Sequence, residues 1–363
     1  MSTFVLMAGG TGGHLSPAMA LAQELRRRGH RIHLVTDHRV TTYGDFPADE
    51  THVVPSATPS VRNPIRFLLA GMTILWGIAV AAFKLRRIKA DAVIGFGGYP
   101  VFPPFVAASL IGVPGILHEQ NAVMGRANRA LASRARVLAL TFKDTAKAEP
   151  FKDRSIVVGN PVRDSARASA EVPYPAIGET VRLLVFGGSQ GARAFADLVP
   201  PAVALLPTEQ RAKLRVTQQC RPEDLDRVAE AYRQAKVNVE LAAFFTDLPE
   251  RIAQSHLVIS RSGASTVSEL TMIGRPAILV PLPGAIDADQ RKNAQLVEAA
   301  GGGWVAEQAT LSPDSLATRL SGLLGEPERL RQAAEAAKSL GQPRAAELLA
   351  ELAEEVAGRG KAK

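Results

Sequence analysis

Apolar residues along this chain fall into short unbroken runs, separated by longer stretches in which they recur with helical spacing. Residues 4–7 have the length of a buried strand, residues 17–28 carry a helical pattern, and Gly29 supplies its stop. Between them stand Ala8, Gly9, Gly10, Thr11, Gly12, Gly13 and His14, so the unit reads strand, glycine loop, helix. It returns about 178 positions later: residues 182–186 form a strand, Gly187, Gly188, Ser189, Gln190 and Gly191 a loop, and residues 192–206 a helix. Further short strands at 92–94, 116–117, 257–259 and 277–280 alternate with helices, the pattern of doubly wound parallel sheets. We therefore expect an α/β protein of two Rossmann-like parallel-sheet domains facing across a cleft. The Pro- and charge-rich stretch at 161–180 sets the boundary, giving domains at 1–163 and 164–340. From Ser312 onward the chain reads as helices rich in Ala, Leu, Glu and Arg, and the last, 341–363, is expected to return to the first domain.

Composition narrows the picture. At roughly 150 residues per domain, 363 residues make about two domains with full cores. A content of 46% hydrophobic and 21% charged residues excludes disorder as the main state. The one cysteine, Cys220, cannot form an internal disulfide, and residues 1–6 lack the basic and apolar tract of a signal peptide, so a cytoplasmic setting is expected. A net charge of +8 suggests an anionic partner: nucleic acid, an acidic membrane surface or a phosphorylated substrate. Nucleic acid fits poorly, because aromatics are only 5% and neither a basic helix nor a stacking motif is present.

The glycine loops carry the first candidate chemistry. A loop without side chains lets backbone N–H groups converge on an anion, and the following helix adds its positive end. Either loop suits a pyrophosphate, and either could equally be a tight turn. His14 stands at a helix mouth, where the dipole favours the neutral imidazole that a general base requires, unless it only caps the helix. A third cluster, Gly95 to Pro100 with Gly97, Gly98 and Tyr99, follows another strand, and His118, Glu119, Gln120 and Asn121 close the next. Ligands bind beyond the carboxyl ends of such strands. In the second half, Ser260 to Thr266 lead into a helix carrying Glu269. Thr266 and Glu269 match a capping box, but the same geometry could present a helix N-terminus to a phosphate and a carboxylate to a ribose diol. No His, Cys or Asp cluster has metal-ligand spacing along the chain.

Residues 67–83 are apolar throughout, with Arg62 and Arg66 before them and Lys84, Arg86, Arg87 and Lys89 after. As a helix they reach about 26 Å, just under the roughly 30 Å hydrocarbon core of a bilayer. A crossing here would split one sheet between two sides of a membrane. Of a span, a buried helix and an interfacial helix, the last is favoured: Phe67, Leu68, Leu69, Ile74, Leu75 and Trp76 enter lipid while Lys84, Arg86 and Arg87 meet anionic headgroups.

Taken together, Gly9-Gly-Thr-Gly-Gly-His14, Gly95-Phe-Gly-Gly-Tyr-Pro100, His118-Glu-Gln-Asn121, Gly159-Asn-Pro-Val-Arg163, Gly187-Gly-Ser-Gln-Gly-Ala-Arg193 and Arg261-Ser-Gly-Ala-Ser-Thr-Val-Ser-Glu269 resemble the MurG family of GT-B glycosyltransferases. These segments run in the family's order from Met7 to about Asn293. The resemblance implies inverting transfer of N-acetylglucosamine from UDP-N-acetylglucosamine to the muramyl 4-hydroxyl of undecaprenyl-pyrophosphoryl-muramyl-pentapeptide, giving lipid II at the cytoplasmic face of the bacterial inner membrane. It further implies that Glu269 binds the ribose, Gly188 and Ser189 the pyrophosphate and the backbone near Phe245 the uracil. Ala264, Ser265, Thr266, Val267 and Ser268 belong to the same donor-binding stretch, and Gln290 and Arg163 also contact the donor. Thr11, Gly12, Gly13 and Asn128 would complete that site on closure. Gly97, Gly98, Tyr99, Gln120 and Asn121 would line the acceptor. The chain departs from the family's His-Gln-Ser/Thr-Gly stretch, having Thr217, Gln218, Gln219 and Cys220, and its loop before Gln290 is a residue longer.

Inverting transfer needs one base behind the acceptor hydroxyl and a cradle for the leaving diphosphate. His14 is the first candidate base and Glu119 the second, and no cofactor or obligatory protein-bound metal is expected. Three rivals remain: a nicotinamide-dependent oxidoreductase with Asp37 on its ribose, a non-catalytic nucleotide-regulated scaffold, and a GT-B transferase for another sugar or acceptor.

Overall fold

The computed structural model describes residues 1–9, 12–37, 46–58, 63–188, 191–285 and 287–361. Two compact units emerge, one of Met1–Arg163 with Gln342–Lys363, the other of Asp164–Gly341.

The first unit holds a seven-stranded parallel sheet. Its strands are β1 (Thr3–Met7), β2 (Arg31–Thr36), β3 (Glu50–Val53), β4 (Ala92–Gly95), β5 (Gly115–Glu119), β6 (Val137–Leu140) and β7 (Ser155–Val157), in the order β3-β2-β1-β4-β5-β6-β7. The unbroken apolar run in β1 follows from burial on both faces. Phe4 and Leu6 join the core under the Gly12–Arg27 and Ala345–Lys361 helices, whereas Val5 and Met7 face the core under the Pro64–Ile88 and Phe102–Leu110 helices. The last helix belongs to this unit: Leu349, Ala350, Ala353 and Val356 lie in its core, and Glu354 pairs with Arg28 and His30, each at 2.8 Å.

The second unit holds a six-stranded parallel sheet of β8 (Val181–Phe186), β9 (Leu214–Gln219), β10 (Asn238–Ala242), β11 (Leu257–Ser260), β12 (Ala277–Leu279) and β13 (Gly303–Val305). Its order, β10-β9-β8-β11-β12-β13, repeats that of the first unit without the final strand. The boundary stretch is more ordered than its composition suggests. Residues Asp164–Ser169 are helical, and buried Arg275 donates to the carbonyls of Val172 and Pro173 as well as to Ala253, Ile273 and Gly274.

Two helices depart from the spacing argument. The first is described from Gly12, five residues before the expected start, with Pro17 inside it at the loss of one i→i−4 bond. That earlier start puts His14 in the first helical turn. The apolar segment forms a helix over Pro64–Ile88, longer than its apolar core, because Asn63 caps it by accepting from the Arg66 amide at 3.0 Å and left-handed Lys89 ends it. Only Ala70, Gly77, Ala81 and Leu85 are buried, so it is not a core helix.

Candidate active site

In each sheet the strand order reverses beside the first strand of the unit, at β1/β4 and at β8/β11. Ligands bind in open α/β sheets at such reversals, beyond the carboxyl ends of the strands. The motifs that follow β1, β4 and β5 lie at or next to the first reversal and those that follow β8, β11 and β12 at or next to the second, whereas Gly159–Arg163 follows edge strand β7 and Phe245 follows edge strand β10.

At the β1/β4 reversal, Gly12 and Gly13 open the helix that carries half-buried His14. Thr11 lies outside the described residues. His14 Nδ1 is 3.3 Å from Gln120 Oε1. Gly97 (φ 85°) and Gly98 (φ 79°) pass against the imidazole, where a Cβ would stand 3.4 Å from His14 Cε1 and 3.2 Å from Cδ2. The positive φ and the close approach together explain this glycine pair.

The polar end of β5 lies behind His14 rather than in front of it. His118 is fully buried, and burial pushes its pKa down to about 4, so the ring is neutral. It sits 2.9 Å from the Gly159 carbonyl on its Nε2 side and 3.0 Å from Gln120 Nε2 on its Nδ1 side. Gln120 is 1% exposed, so it supports the histidine and does not line an acceptor pocket. Glu119 likewise differs from its expected role as second base. Its Oε1 accepts from Asn121 N and Nδ2 at 3.1 and 3.2 Å, and its Oε2 from Gly125 N and Asn128 Nδ2 at 2.9 and 2.8 Å. Burial pushes this carboxyl pKa up and the four N–H groups oppose the rise. A carboxylate so enclosed organises the loop that follows β5. Asn128 also donates to the His118 carbonyl at 3.1 Å, while its Oδ1, buried beside Gly97, has no hydrogen-bond partner.

Tyr99 donates its hydroxyl to Asp37 at 2.6 Å, and Asp37 is 2% exposed. Asp37 therefore belongs to the floor under the first loop, which removes the ribose carboxylate from the oxidoreductase reading.

At the β8/β11 reversal, a Cβ on Gly187 would stand 2.3 Å from the Ala192 amide, so only glycine fits this turn. Gly188 follows with φ 87°; Ser189 lies outside the described residues. The Ala264–Ile273 helix starts at Ala264 with Gly263 as its N-cap and no side-chain cap. Thr266 thus lies within the first turn, and the capping box with Glu269 does not form. The first-turn amides of such a helix have no carbonyl inside it to bond, the usual basis of an anion site. Val267 departs from its expected place: its side chain is in the core and its N–H bonds Gly263 O at 3.0 Å. Ser268 donates to Ala264 O within the helix, and Glu269 is buried one turn further in. Gln290 accepts from the Leu282 amide at 3.0 Å, which fixes the loop before the Asp289–Ala299 helix. Phe245 is buried with the Arg251 guanidinium 4.3 Å over its ring, held by Glu240 and Asp247. Arg163 is half-buried at the end of the first unit.

Away from both reversals, the strands assemble one cluster that spacing along the chain does not show. His33 Nδ1 and His52 Nε2 lie 3.1 Å apart, with a Glu50 oxygen 3.6 Å from His52, a grouping with the span of a cation site. Burial, and after it the charge of Lys84, holds the pKa of His52 down, an electrostatic setting opposed to a cation. The Pro64–Ile88 helix turns Ile65, Phe67, Leu68, Leu69, Met72, Leu75, Trp76 and Phe83 outward, each at least 49% exposed, whereas Ile74 and Lys84 are half-buried. Its length, and the mean hydropathy of 1.9 over an 18-residue window within it, would also suit a membrane span.

The model of the glycosyltransferase family 28 N-terminal domain matches residues 4–139, and that of the family 28 C-terminal domain matches 182–349. An Agrobacterium fabrum protein named UDP-N-acetylglucosamine–N-acetylmuramyl-(pentapeptide) pyrophosphoryl-undecaprenol N-acetylglucosamine transferase is 51% identical over 356 residues, 97% of this chain and 94% of its own. This chain belongs to the MurG family. The crystal structure of Acinetobacter baumannii MurG superposes with a TM-score of 0.79 at 29% identity, covering 98% of this chain and all of that one. The calicheamicin glycosyltransferase CalG4, at 17% identity, TM-score 0.66 and 99% coverage of both chains, shares the GT-B fold.

Within this MurG-family fold, sequence reasoning missed Gln219. Its Oε1 accepts from Gly187 N at 3.1 Å and its Nε2 donates to Ala243 O at 3.2 Å, tying the glycine turn to the segment before Phe245. The departure at 217–220 thus has a structural task. Arg261 was likewise seen only as a motif letter; buried, it donates to Val280 O, Pro281 O and Gln308. For Arg261 the available signal was a charged residue directly after the short apolar strand Leu257–Ser260; Gln219 ends a strand that already carries Arg215, Thr217 and Gln218, so no such signal marked it.

Proposed function

We propose that this chain transfers N-acetylglucosamine from UDP-N-acetylglucosamine to the muramyl 4-hydroxyl of undecaprenyl-pyrophosphoryl-muramyl-pentapeptide, with inversion, releasing UDP and lipid II. The observation that carries the chemistry is His14, a histidine in the first turn of a helix at a sheet reversal, held from behind by Gln120 and flanked by two glycines.

As the acceptor oxygen attacks the anomeric carbon, its proton passes to His14 Nε2, and the bond from that carbon to the β-phosphate oxygen breaks. The electron pair leaves with UDP. The unmet Oδ1 of Asn128, beside Gly97, offers an acceptor to a sugar hydroxyl or amide, with Gly98 and Tyr99 nearby. In the second unit the Gly188 turn and the amides of Ala264, Ser265 and Thr266 receive the diphosphate, Glu269 the ribose diol, and the backbone near Phe245 the uracil, with Gln290 and Arg163 as further donor contacts. Helix and loop dipoles can neutralise the diphosphate, so no obligatory protein-bound metal is required. The Phe67–Trp76 face would lie in lipid with Arg86 and Arg87 on anionic headgroups, placing the enzyme peripherally on the cytoplasmic side of the inner membrane, where its lipid-linked acceptor resides.

The test is a ligand panel followed by turnover. UDP-N-acetylglucosamine at about 100 times its Kd should add roughly 2.7 kcal/mol of stability, raising the melting temperature by about 5 to 10 °C. NADH should add none. Formation of disaccharide from the lipid-linked muramyl acceptor completes the assignment; stabilisation by NADH alone would refute it.

A further inference from the structure

We infer that Gln120 is a positioning residue that fixes which ring nitrogen of His14 carries the proton, through a hydrogen-bond chain anchored at the Gly159 carbonyl. The inference rests on the proposed role of His14 as base. It follows from the direction each link must take.

A carbonyl oxygen can only accept. His118 lies 2.9 Å from Gly159 O through Nε2, so that nitrogen carries the hydrogen. The buried ring is neutral, which leaves the lone pair on His118 Nδ1, 3.0 Å from Gln120 Nε2. Gln120 Nε2 also stands 3.0 Å from the His118 carbonyl, a second group that can only accept. Both neighbours therefore demand the NH2 end of the Gln120 amide on this side, and its oxygen must face His14. At 3.3 Å from Gln120 Oε1, His14 Nδ1 is the donor, and the lone pair of the neutral ring resides on Nε2.

An unconstrained histidine in water prefers the opposite tautomer, so the chain works against the ring's own tendency. It also places the basic nitrogen usefully. A Cβ on Gly98 would stand 3.4 Å from His14 Nε2, so the glycine pair keeps side chains off the edge that takes the proton. When Nε2 accepts the hydroxyl proton the ring becomes cationic, and the Nδ1–H to Gln120 bond becomes charge-assisted. That bond is stronger in the transition state than before it, so it contributes to rate rather than to binding.

The experiment uses full-length protein carrying 15N-histidine. A long-range proton–nitrogen correlation spectrum should show neutral His14 protonated at Nδ1 and His118 protonated at Nε2. In Gln120→Leu, His14 should move to the Nε2-protonated form while His118, still bonded to the Gly159 carbonyl, stays protonated at Nε2, which certifies the fold. In that variant kcat should fall roughly 10- to 100-fold with KM for the UDP-sugar unchanged. Gln120→Glu retains an acceptor and should keep the Nδ1–H signature. A wild-type His14 protonated at Nε2, or a Gln120→Leu variant with an unmoved tautomer or undiminished kcat, would overturn the inference. Full activity in His14→Ala would instead overturn the base assignment while leaving the spectra as they are, so the two failures are distinguishable.

Discussion

The two units share one strand order but present different residues at its reversal. The helix after β1 carries His14 in its first turn, whereas its counterpart after β8, Arg193–Ala204, carries no histidine. Beyond β5 a buried network of His118, Glu119, Gln120 and Asn128 stands behind that histidine. Beyond β12, the counterpart loop is held by the Gln290 contact to Leu282. The reversal in the second unit instead offers a tight glycine turn and an uncapped helix start. The contrast separates two demands of group transfer, moving a proton and holding an anion: the first needs an oriented titratable ring, the second oriented backbone dipoles.

The sharpest way to break this division is His14→Ala. Loss of the base should reduce kcat by roughly 10² to 10⁴ and leave UDP-N-acetylglucosamine affinity, which the proposed function assigns to the second unit, nearly unchanged. Single-turnover rates and calorimetric titration of the donor check both halves. Equal loss in rate and donor affinity would mean that the units do not divide the work.

The next effect is on stability and concerns the network itself. Burial pushes the His118 pKa down to about 4 in the folded chain, against the ordinary histidine value of 6.5. Above pH 6.5 neither folded nor unfolded chain binds a proton there, so this group adds no pH dependence. Between 6.5 and 4 the unfolded chain takes a proton that the folded one refuses, and stability falls as pH falls, by about 3 kcal/mol over the window. His256, buried in the second unit, and His52 in the first are shifted the same way by burial, whereas burial raises the Glu119 pKa and so works in the opposite direction as the pH falls. Hydrogen exchange of core amides in each unit from pH 7 to 4.5 measures the fall. His118→Asn should flatten the slope in the first unit; an unchanged slope would assign the acid sensitivity elsewhere.

How much of this was legible in the sequence depends on what each residue type reports. Glycine turns after short apolar runs report backbone geometry, and they located both reversals. The same pattern implied a doubly wound α/β fold because strands buried on both faces, such as β1, must be apolar throughout. Polar residues report only that some partner exists. Glu119 and Gln120 stood out as chemistry, yet their partners, the Gly125 amide and the His118 ring, became visible only in three dimensions. Gln219 was missed for the same reason. The His33–His52 pair arises from adjacent strands, a proximity that no spacing along the chain encodes.

A smaller effect tests the anion-holding half. Glu269→Ala should weaken UDP-N-acetylglucosamine by roughly 10- to 100-fold, the equivalent of about 1.5 to 3 kcal/mol for hydrogen bonds to a charged group. The His14 tautomer in the first unit should not change. Calorimetry of the donor and the histidine spectrum read the two sides separately. Undiminished donor affinity would remove Glu269 from the ribose.

The smallest expected effect lies where the units differ most in bulk. The crossover from β3 to β4 is the helix Pro64–Ile88, with an outward apolar face and Arg86 and Arg87 exposed at its end. The equivalent crossover from β10 to β11 is Leu248–Gln254, seven residues long, with Ile252 and Ala253 buried and Arg251 paired to Glu240 and Asp247. A crossover needs no such excess, and an unpaired apolar stripe ending in cations suits an anionic lipid surface. Vesicles containing anionic lipid should bind the protein more tightly than neutral ones, and added salt should weaken that binding. Arg86→Gln and Arg87→Gln should each lower the partition coefficient about fivefold, since a cation near such a surface contributes roughly 1 kcal/mol. Lys84→Gln should cost less, because Lys84 is half-buried and bears on His52 rather than facing outward. Equal losses at all three positions would show that the helix meets the membrane by its general charge and not by the face that the fold leaves exposed.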